Sequence, residues 1–372
     1  MRTTPHPTDS AVLAVRQGRM GFITLNRPKA LNALTLGMVR QMTQALLEWR
    51  ADPEVLAVAV RGMGKDGPFG AFCAGGDIRF FHQTALAGDP ALEDFFTEEY
   101  QLNHLIHTYP KPYIAFMDGV VMGGGMGISQ GASLRVVTPR TKMAMPETGI
   151  GLFPDVGGGF FLSRCPGRVG EWLALTGQTI GAGDATAFGL ADGTIDPARL
   201  PVIWAELEQT PFESGAAAER LVSSKLVAPD NHHKSDRAKI DSYFSLASVT
   251  DIVTALQADS SEFAQQAATT LCQRSPLMLH VVLEQIRRAR TMGLADDLRM
   301  ERALVRHCFH THHLKRSGHS SETVEGIRAL AVDKDHSPQW NPPHIQQVTP
   351  AMVAPFFESP WPPHAHPLTH LG

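Results

Sequence analysis

Two acidic residues, Glu147 and Asp155, stand eight positions apart in stretches made of apolar residues, glycine and proline. No lysine or arginine between residues 143 and 163 holds either carboxyl group in its charged form. Apolar surroundings raise the pKa of a carboxyl group and suit it to act as an acid, a base or a nucleophile. Taken alone, the two residues have an equally good structural explanation, as a helix cap and a turn residue.

Three glycine-rich segments, residues 71–78, 122–127 and 154–159, fall within about ninety residues of one another. Glycine lets the backbone approach a ligand closely and expose its N–H groups. Two such groups from different segments can hold a carbonyl oxygen while negative charge develops on it, and a helix opening at the second segment would add its dipole. A single segment is better explained by tight packing or a turn, whereas three together favour a ligand site.

Two familiar patterns are rejected. Residues 127–131 match the G-x-S-x-G turn of serine hydrolases, but the preceding strand is predicted to end near Asp118, so Ser129 is expected inside a helix. The same glycines fit no G-x-G-x-x-G register for a dinucleotide. His310, His312 and His313 lack a second cluster with ligand spacing, so we expect a solvated helix end or loop and no metal.

The first half of the chain alternates strand and helix patterns. Residues 11–16 and 21–25 predict a β-hairpin, and residues 35–50 predict a helix with Thr35 as its N-cap. Buried strands are predicted at residues 55–60 and 113–117. This alternation indicates an α/β layered core with functional loops at the strand ends.

The second half of the chain has mainly helical patterns. After residue 168 the strand signals fade, and helices are predicted at residues 262–272 and 276–292. From residue 337 onward the chain is rich in proline and histidine and is predicted to run over the surface.

The composition excludes several classes of protein. With 372 residues, 43% hydrophobic content and a formal charge of −4, the chain is globular and offers no basic field to nucleic acid or an anionic membrane. No apolar run is long enough to span a membrane. The four cysteines show no metal or disulfide spacing, and residues 1–10 lack the pattern of a targeting peptide. A cytoplasmic location is therefore expected.

The chain resembles the crotonase (enoyl-CoA hydratase/isomerase) superfamily over residues 10–345 or so. Residues 26–34, 71–78 and 123–125 carry this superfamily resemblance. Four segments also resemble a narrower family within the superfamily, the 3-hydroxyisobutyryl-CoA hydrolases: residues 145–148, 151–159, 325–329 and 333–340. The F-P-D-V-G-G-G run is the most specific of these matches.

The resemblance implies an α/β fold, a crotonase-like spiral of ββα units over residues 10–200, with a helical C-terminal region at 201–345 and a tail at 346–372. It places the oxyanion-hole N–H groups on Gly76 and Gly124 and a substrate contact on Glu99. It implies an acyl-CoA substrate and no separate cofactor, and it allows a homo-oligomer. Coenzyme A is expected to pass Lys29, Ala30, Leu31, Ala74, Asp77 and Ile78.

Departures from the superfamily pattern decide the expected reaction. Hydratases of this superfamily need a second glutamate at the position that is Gly127 here, and they tend to carry glycine where this chain has Asp155. The remaining pair, Glu147 and Asp155, fits thioester hydrolysis in valine breakdown. Glu147 would serve as nucleophile, through a mixed anhydride, or as general base for water. The alternatives are a hydratase or isomerase using Glu147 alone and a non-catalytic acyl-CoA binding protein.

Overall fold

The computed structural model describes residues 10–227 and 236–372. Residues 1–9, on which the expectation about a targeting peptide largely rests, lie outside the described residues. The chain divides into two compact units. The first consists of Met1–Gly76, Leu102–Met143 and Thr179–Lys234, and the second of Asp77–Gln101, Ala144–Gln178 and Ser235–Gly372. The contiguous domain boundaries expected near residues 200 and 345 stay a prediction.

The strands of the described residues form two sheets, one of seven strands and one of two. In the larger sheet the order is β1-β2-β3-β5-β7-β9 with β4 paired to β3, and the smaller sheet pairs β6 with β8. The strands are β1 (Val12–Gln17), β2 (Met20–Leu25), β3 (Ala57–Gly64), β4 (Gly67–Pro68), β5 (Tyr113–Met117), β6 (Val120–Met122), β7 (Leu134–Val137), β8 (Lys142–Ala144) and β9 (Gly193–Thr194).

The predicted hairpin is confirmed, because β1 and β2 pair antiparallel with Gln17 opposite Met20. From β2 onward the main sheet is parallel through β3, β5, β7 and β9. Every residue of β2 and β5 is buried, as expected for parallel strands covered on both faces. The predicted strand at 113–117 has the bounds of β5, whereas β3 begins two residues later than predicted and runs on to Gly64.

The helices alternate with these strands in the first unit and make up nearly all of the second. They are α1 (Leu36–Ala51), α2 (Ile78–Ala87), α3 (Ala91–His107), α4 (Gly124–Gln130), α5 (Gly158–Ser163), α6 (Val169–Thr176), α7 (Ala182–Ala187), α8 (Leu200–Gln209), α9 (Gly215–Ser223), α10 (Arg237–Phe244), α11 (Val249–Ala258), α12 (Glu262–Gln273), α13 (Pro276–Ala289), α14 (Leu294–Phe309), α15 (Glu322–Ile327) and α16 (Pro350–Val353).

Local signals explain where the predicted helices begin. The Thr35 hydroxyl accepts the N–H of Met38 and caps α1, as predicted. α13 begins with Pro276 directly after its N-cap Ser275, the position where proline costs a helix nothing. The predicted helices at 262–272 and 276–292 correspond to α12 and α13.

Each unit has its own apolar core. In the first unit, Trp204 of α8 packs on the sheet residues Phe22 and Phe116, with ring centroids 5.0 and 5.7 Å away. In the second, Phe96 of α3 packs against Phe81 and Phe309 at 4.9 and 5.7 Å. Such rings bury a large apolar area and stabilise the helices that carry the polar residues described next.

The C-terminal segment from residue 337 is anchored at intervals within the second unit. Its buried apolar side chains are Ile345, Phe356, Leu368 and Leu371. Arg299 of α14 also donates to the carbonyl oxygen of Leu368 at 3.1 Å. None of the helices in the described part of the chain combines the length and the apolar character that crossing a membrane requires.

Candidate active site

Glu147 lies on a short 3-10 turn, Glu147–Ile150, that follows β8. Its side chain is buried, and its Oε2 has no hydrogen-bond partner among the residues that the structure describes. The turn is closed by the left-handed Gly151, whose N–H donates to the carbonyl of Glu147. A carboxylate oxygen buried without a donor is costly unless a ligand or water meets it, so this atom is a candidate for chemistry.

Helix α15 holds that turn in place. A Cβ on Gly326 would come within 2.7 Å of the Ile150 Cα, and the Thr323 hydroxyl donates to the carbonyl of Gly151 at 2.7 Å. Gly326 belongs to the 325–329 segment that carries part of the family resemblance, and its lack of a side chain permits this close approach.

Replacing Gly326 with alanine is therefore expected to push α15 away from the turn that carries Glu147. We expect the melting temperature to fall, since overpacking of this kind costs about 1–3 kcal/mol, and activity to fall with it. Gly293, at the start of α14, is the matched control, because a Cβ there would meet nothing within 4 Å. Thermal melting of the two alanine variants checks this, and equal melting temperatures would contradict it.

Asp155 lies in an irregular segment that turns sharply into α5. Val156 and Gly157 both have positive φ angles, 58° and 85°, so the backbone reverses directly after the carboxyl group. The Asp155 side chain is buried, and its Oδ2 accepts a hydrogen bond from the Tyr100 hydroxyl at 2.9 Å. The carboxyl is thus held in a fixed orientation by a side chain from α3.

Glu99 precedes Tyr100 on α3, and both side chains are buried. Glu99 Oε1 has no hydrogen-bond partner within the described residues. The structure therefore brings Glu99, Glu147 and Asp155 together in the second unit, close enough for their charges to interact. Their assigned roles in binding and catalysis stay predictions.

Burial dominates the electrostatics of this carboxyl trio, Glu99, Glu147 and Asp155. It raises the pKa of Glu147 well above its usual value, and the charge of Asp155 raises it further. Burial also raises the pKa of Asp155 to about 7, although the Tyr100 hydrogen bond opposes the shift. Glu99 has a pKa raised by burial and then by both neighbours. The pKa values of all three carboxyl groups are thus raised, as is common at sites of acid–base chemistry.

The raised pKa of Glu99 predicts a pH-dependent gain in stability for the Glu99→Gln variant. An acid whose pKa is raised in the folded state stabilises that state fully below its unfolded pKa and loses this contribution as pH rises through the folded pKa. Glutamine does not ionise, so the variant should melt at a higher temperature than wild type at pH 8 and at the same temperature near pH 4. Melting curves across this range test the expectation, and parallel curves would refute it.

Three further residues support the Asp155 segment, and sequence reasoning missed them. Tyr100 binds Asp155 directly, while Asp297 and Glu301 of α14 accept backbone N–H groups from residues 157–160. One signal was present in the sequence. The two acids stand four positions apart on the same helix face as the buried Leu304, Val305 and Cys308, where carboxyl groups are unusual.

In the first unit, the glycine segments that contain Gly76 and Gly124 run side by side. A Cβ on Gly75 would come within 3.1 Å of the Met122 carbonyl oxygen and 3.5 Å of the Gly124 nitrogen. Gly124 is the first residue of α4, so its N–H has no acceptor within the helix. This arrangement is compatible with the predicted pair of N–H donors, whose function stays a prediction.

The residues predicted to bind coenzyme A are distributed over both units. Lys29 and Ala30 lie in the 3-10 turn Pro28–Ala30, and Leu31 follows with a left-handed backbone and an exposed side chain. The Ala74 N–H donates to the carbonyl of Leu31 at 3.0 Å, so these two predicted contacts are neighbours. Asp77 is the N-cap and Ile78 the first residue of α2, in the second unit.

Ser129 lies inside a helix, as expected, and the three histidines lie at a helix end and in the turn after it, where His313 is half-buried and not fully solvated. Ser129 is buried inside α4, where its hydroxyl donates to the carbonyl of Gly125 at 2.8 Å, so it is not on a nucleophile turn. His310 ends α14, and His312 and His313 belong to the short 3-10 turn that follows. Within residues 10–227 and 236–372, no three His, Cys, Asp or Glu side chains are grouped so that they could hold a metal ion.

Comparison with known proteins gives a consistent assignment. Residues 20–357 match the family model described as enoyl-CoA hydratase/isomerase. Proteins named 3-hydroxyisobutyryl-CoA hydrolase, mitochondrial, from Xenopus tropicalis and Homo sapiens are 39% and 38% identical to this chain. These matches cover 96% and 94% of this chain and 92% and 89% of the relatives.

Two solved structures share the fold closely. One is named as a carnitinyl-CoA dehydratase from Mycobacterium thermoresistibile (TM-score 0.84, 38% identity), and the other as an enoyl-CoA hydratase from Rhodobacter sphaeroides 2.4.1 (TM-score 0.82, 37% identity). Each match covers 94% of this chain and 97% of the other. The expected crotonase-like α/β fold is thereby confirmed, and the chain belongs to the enoyl-CoA hydratase/isomerase family.

Proposed function

We propose that the protein hydrolyses a short β-hydroxyacyl-CoA thioester, with 3-hydroxyisobutyryl-CoA as the preferred substrate, releasing 3-hydroxyisobutyrate and coenzyme A. The observation that carries the proposal is the buried pair of Glu147 and Asp155, whose charges interact and whose pKa values are raised. The curated relatives named as 3-hydroxyisobutyryl-CoA hydrolases support the choice of substrate.

The reaction starts when the thioester carbonyl oxygen accepts hydrogen bonds from the N–H groups of Gly76 and Gly124, the predicted oxyanion hole. The Glu147 carboxylate attacks the carbonyl carbon, the carbon–sulfur bond breaks, and coenzyme A leaves as a thiolate. Water then opens the mixed anhydride, which restores the carboxylate. Asp155, oriented by Tyr100, positions the substrate hydroxyl or the water and accepts a proton.

A second route uses the same residues without a covalent intermediate, with Glu147 as the general base for water. A single turnover in water labelled with heavy oxygen tests the covalent route. Label incorporated into Glu147 establishes an anhydride that water opens at the Glu147 carbon, whereas label in the product acid alone shows that water attacks the acyl carbon, either of the thioester or of the anhydride.

Hydration of a double bond is the competing reaction, because the two solved relatives carry dehydratase and hydratase names at about the same identity as the hydrolases. The chain lacks the second hydratase carboxylate that the superfamily pattern places at position 127, where a buried glycine lies inside α4. A glycine supplies no group for acid–base catalysis, which favours hydrolysis.

The discriminating experiment offers the protein 3-hydroxyisobutyryl-CoA and crotonyl-CoA separately. We expect free thiol from the first and no loss of the enoyl absorbance of the second. The converse result would establish a hydratase, and binding without turnover of any short acyl-CoA would establish a non-catalytic protein. 3-Hydroxypropionyl-CoA should also react, since one methyl group in a pocket discriminates by only about 1–3 kcal/mol.

The remaining features of the proposal follow from this chemistry. Coenzyme A is part of the substrate, so we propose no resident cofactor or metal, and neither nucleic acid nor a membrane as partner. A place in valine breakdown follows from the proposed substrate. The cytoplasmic location and a homo-oligomer stay predictions, to be checked by cell fractionation and light scattering; the vertebrate relatives are named as mitochondrial.

A further inference from the structure

The segment that carries Asp155 is held from behind by two acids of α14, which we call the acid clamp, Asp297 and Glu301. Glu301 accepts the N–H of Gly157 at 2.8 Å with Oε2 and the N–H of Gly159 at 2.9 Å with Oε1. Asp297 Oδ2 accepts the N–H of Phe160 at 2.7 Å. Three backbone N–H groups of the segment after Asp155 thus donate to carboxyl groups of a single helix, α14.

A neighbouring glutamine completes the arrangement. Gln285 of α13 donates its amide to the carbonyl of Pro154 at 2.7 Å and to Glu301 Oε1 at 3.3 Å. Hydrogen bonds therefore fix the backbone on both sides of Asp155. Before it, the carbonyl of Pro154 is held by Gln285, and after it, the N–H groups of residues 157, 159 and 160 are held by the acid clamp. The Asp155 side chain itself is oriented by the Tyr100 hydroxyl.

Both acids of the clamp are fully buried, and burial favours the protonated form of a carboxyl group. Burial raises the pKa of Asp297 to about 7 and raises the pKa of Glu301 well above its usual value. The charge of Asp297 raises the pKa of Glu301 further. Asp297 Oδ1 has no hydrogen-bond partner among the described residues.

The two acids differ in the number of backbone N–H groups that they hold. Glu301 receives three N–H bonds, two of them from the backbone, and Asp297 receives one. The N–H groups of Gly157 and Gly159 lower the pKa of Glu301, although burial outweighs them. Loss of Glu301 therefore frees more of the turn than loss of Asp297.

We infer that Asp297 and Glu301 are positioning residues for the proposed hydrolysis. Glu301 fixes the turn after Asp155 through two backbone N–H groups and Asp297 fixes it through one, so that the Asp155 carboxyl is presented to the substrate. The inference rests on the proposed function. The charge of Asp155 also raises the pKa of Glu301, and both acids raise the pKa of Tyr100.

Two amide substitutions test the assignment, because they affect the acids unequally. In Asp297→Asn the amide oxygen can still accept the N–H of Phe160. In Glu301→Gln one of the two accepting oxygens becomes a donor that faces the N–H of Gly157 or Gly159. We expect kcat within a few-fold of wild type for the first and roughly ten- to hundred-fold lower for the second.

Two readouts separate positioning from a general structural role. In Glu301→Gln the acidic limb of the pH–kcat profile should stay where it lies in wild type while kcat falls, because burial raises the pKa of Asp155. A general loss of structure would instead expose Asp155 and move that limb to lower pH. Hydrogen exchange at the Gly157 and Gly159 amides should accelerate in Glu301→Gln and not in Asp297→Asn. Asp296→Asn, on the same helix with its side chain 68% exposed, is the control and should match wild type in every readout.

Equal losses in the two clamp variants, the reverse order, or an acidic limb that moves in Glu301→Gln would overturn the inference. If wild type releases no thiol from any thioester, the proposed function itself has failed and the positioning role falls with it. The exchange comparison then still decides whether Glu301 holds the N–H groups of Gly157 and Gly159.

Discussion

Replacing Glu147 with glutamine is expected to lower kcat for thiol release from 3-hydroxyisobutyryl-CoA by at least roughly a thousand-fold. The amide cannot attack the thioester, and it cannot take a proton from water. Its size and shape are close to those of the acid, so KM should change little. Stopped thiol assays with wild type and variant measure both constants.

Two comparisons make the Glu147→Gln result decisive. Glu284→Gln removes a carboxylate from the surface of α13, where Glu284 pairs with Arg288, and it should leave kcat unchanged. The Glu147→Gln variant should also melt at or above the wild-type temperature at pH 8, because an acid with a raised pKa is removed. A folded variant that retains more than about a tenth of wild-type kcat would eliminate Glu147 as nucleophile and as base.

Replacing Asp155 with asparagine is expected to have the second largest effect, a loss of roughly a hundred-fold or more in kcat. The asparagine oxygen can still accept the Tyr100 hydrogen bond, so the segment should keep its geometry while losing its charge and its capacity to accept a proton.

The pH profile of Asp155→Asn gives an independent check. Wild type should lose activity as pH falls through about 7, where Asp155 takes up a proton. In the variant, the residual acidic limb should lie at lower pH, because the charge of Asp155 no longer raises the pKa of Glu147. An unchanged kcat would remove Asp155 from the mechanism, and an unmoved limb would remove its electrostatic influence on Glu147.

Local patterns predicted much of the fold. The β1–β2 hairpin, the Thr35 cap of α1 and strand β5 each depend on residues close together in sequence, so alternation and capping rules were sufficient. The pairing of Glu147 with Asp155 was also accessible, because they stand only eight positions apart and both lie in apolar surroundings.

Long-range support was not accessible from the sequence. The Tyr100 hydroxyl reaches Asp155 across 55 positions, and Glu301 reaches Gly157 across 144. Neither contact leaves a local signature, because a tyrosine or a glutamate on a helix has the same periodicity whatever it meets. The division into two units is inaccessible for the same reason, since residues 77–101 and 144–178 join a helical unit whose other members come after residue 234.

The 144-position separation between Gly157 and Glu301 has a consequence for synthesis on the ribosome. Glu99, Glu147 and Asp155 leave the exit tunnel well before α14, so the nascent chain carries its reactive acids on a turn whose N–H groups are still solvated. Enzymatic competence should therefore arise late and abruptly, when α14 docks, and chains stalled before Glu301 should be inert even though every reactive side chain has already been made.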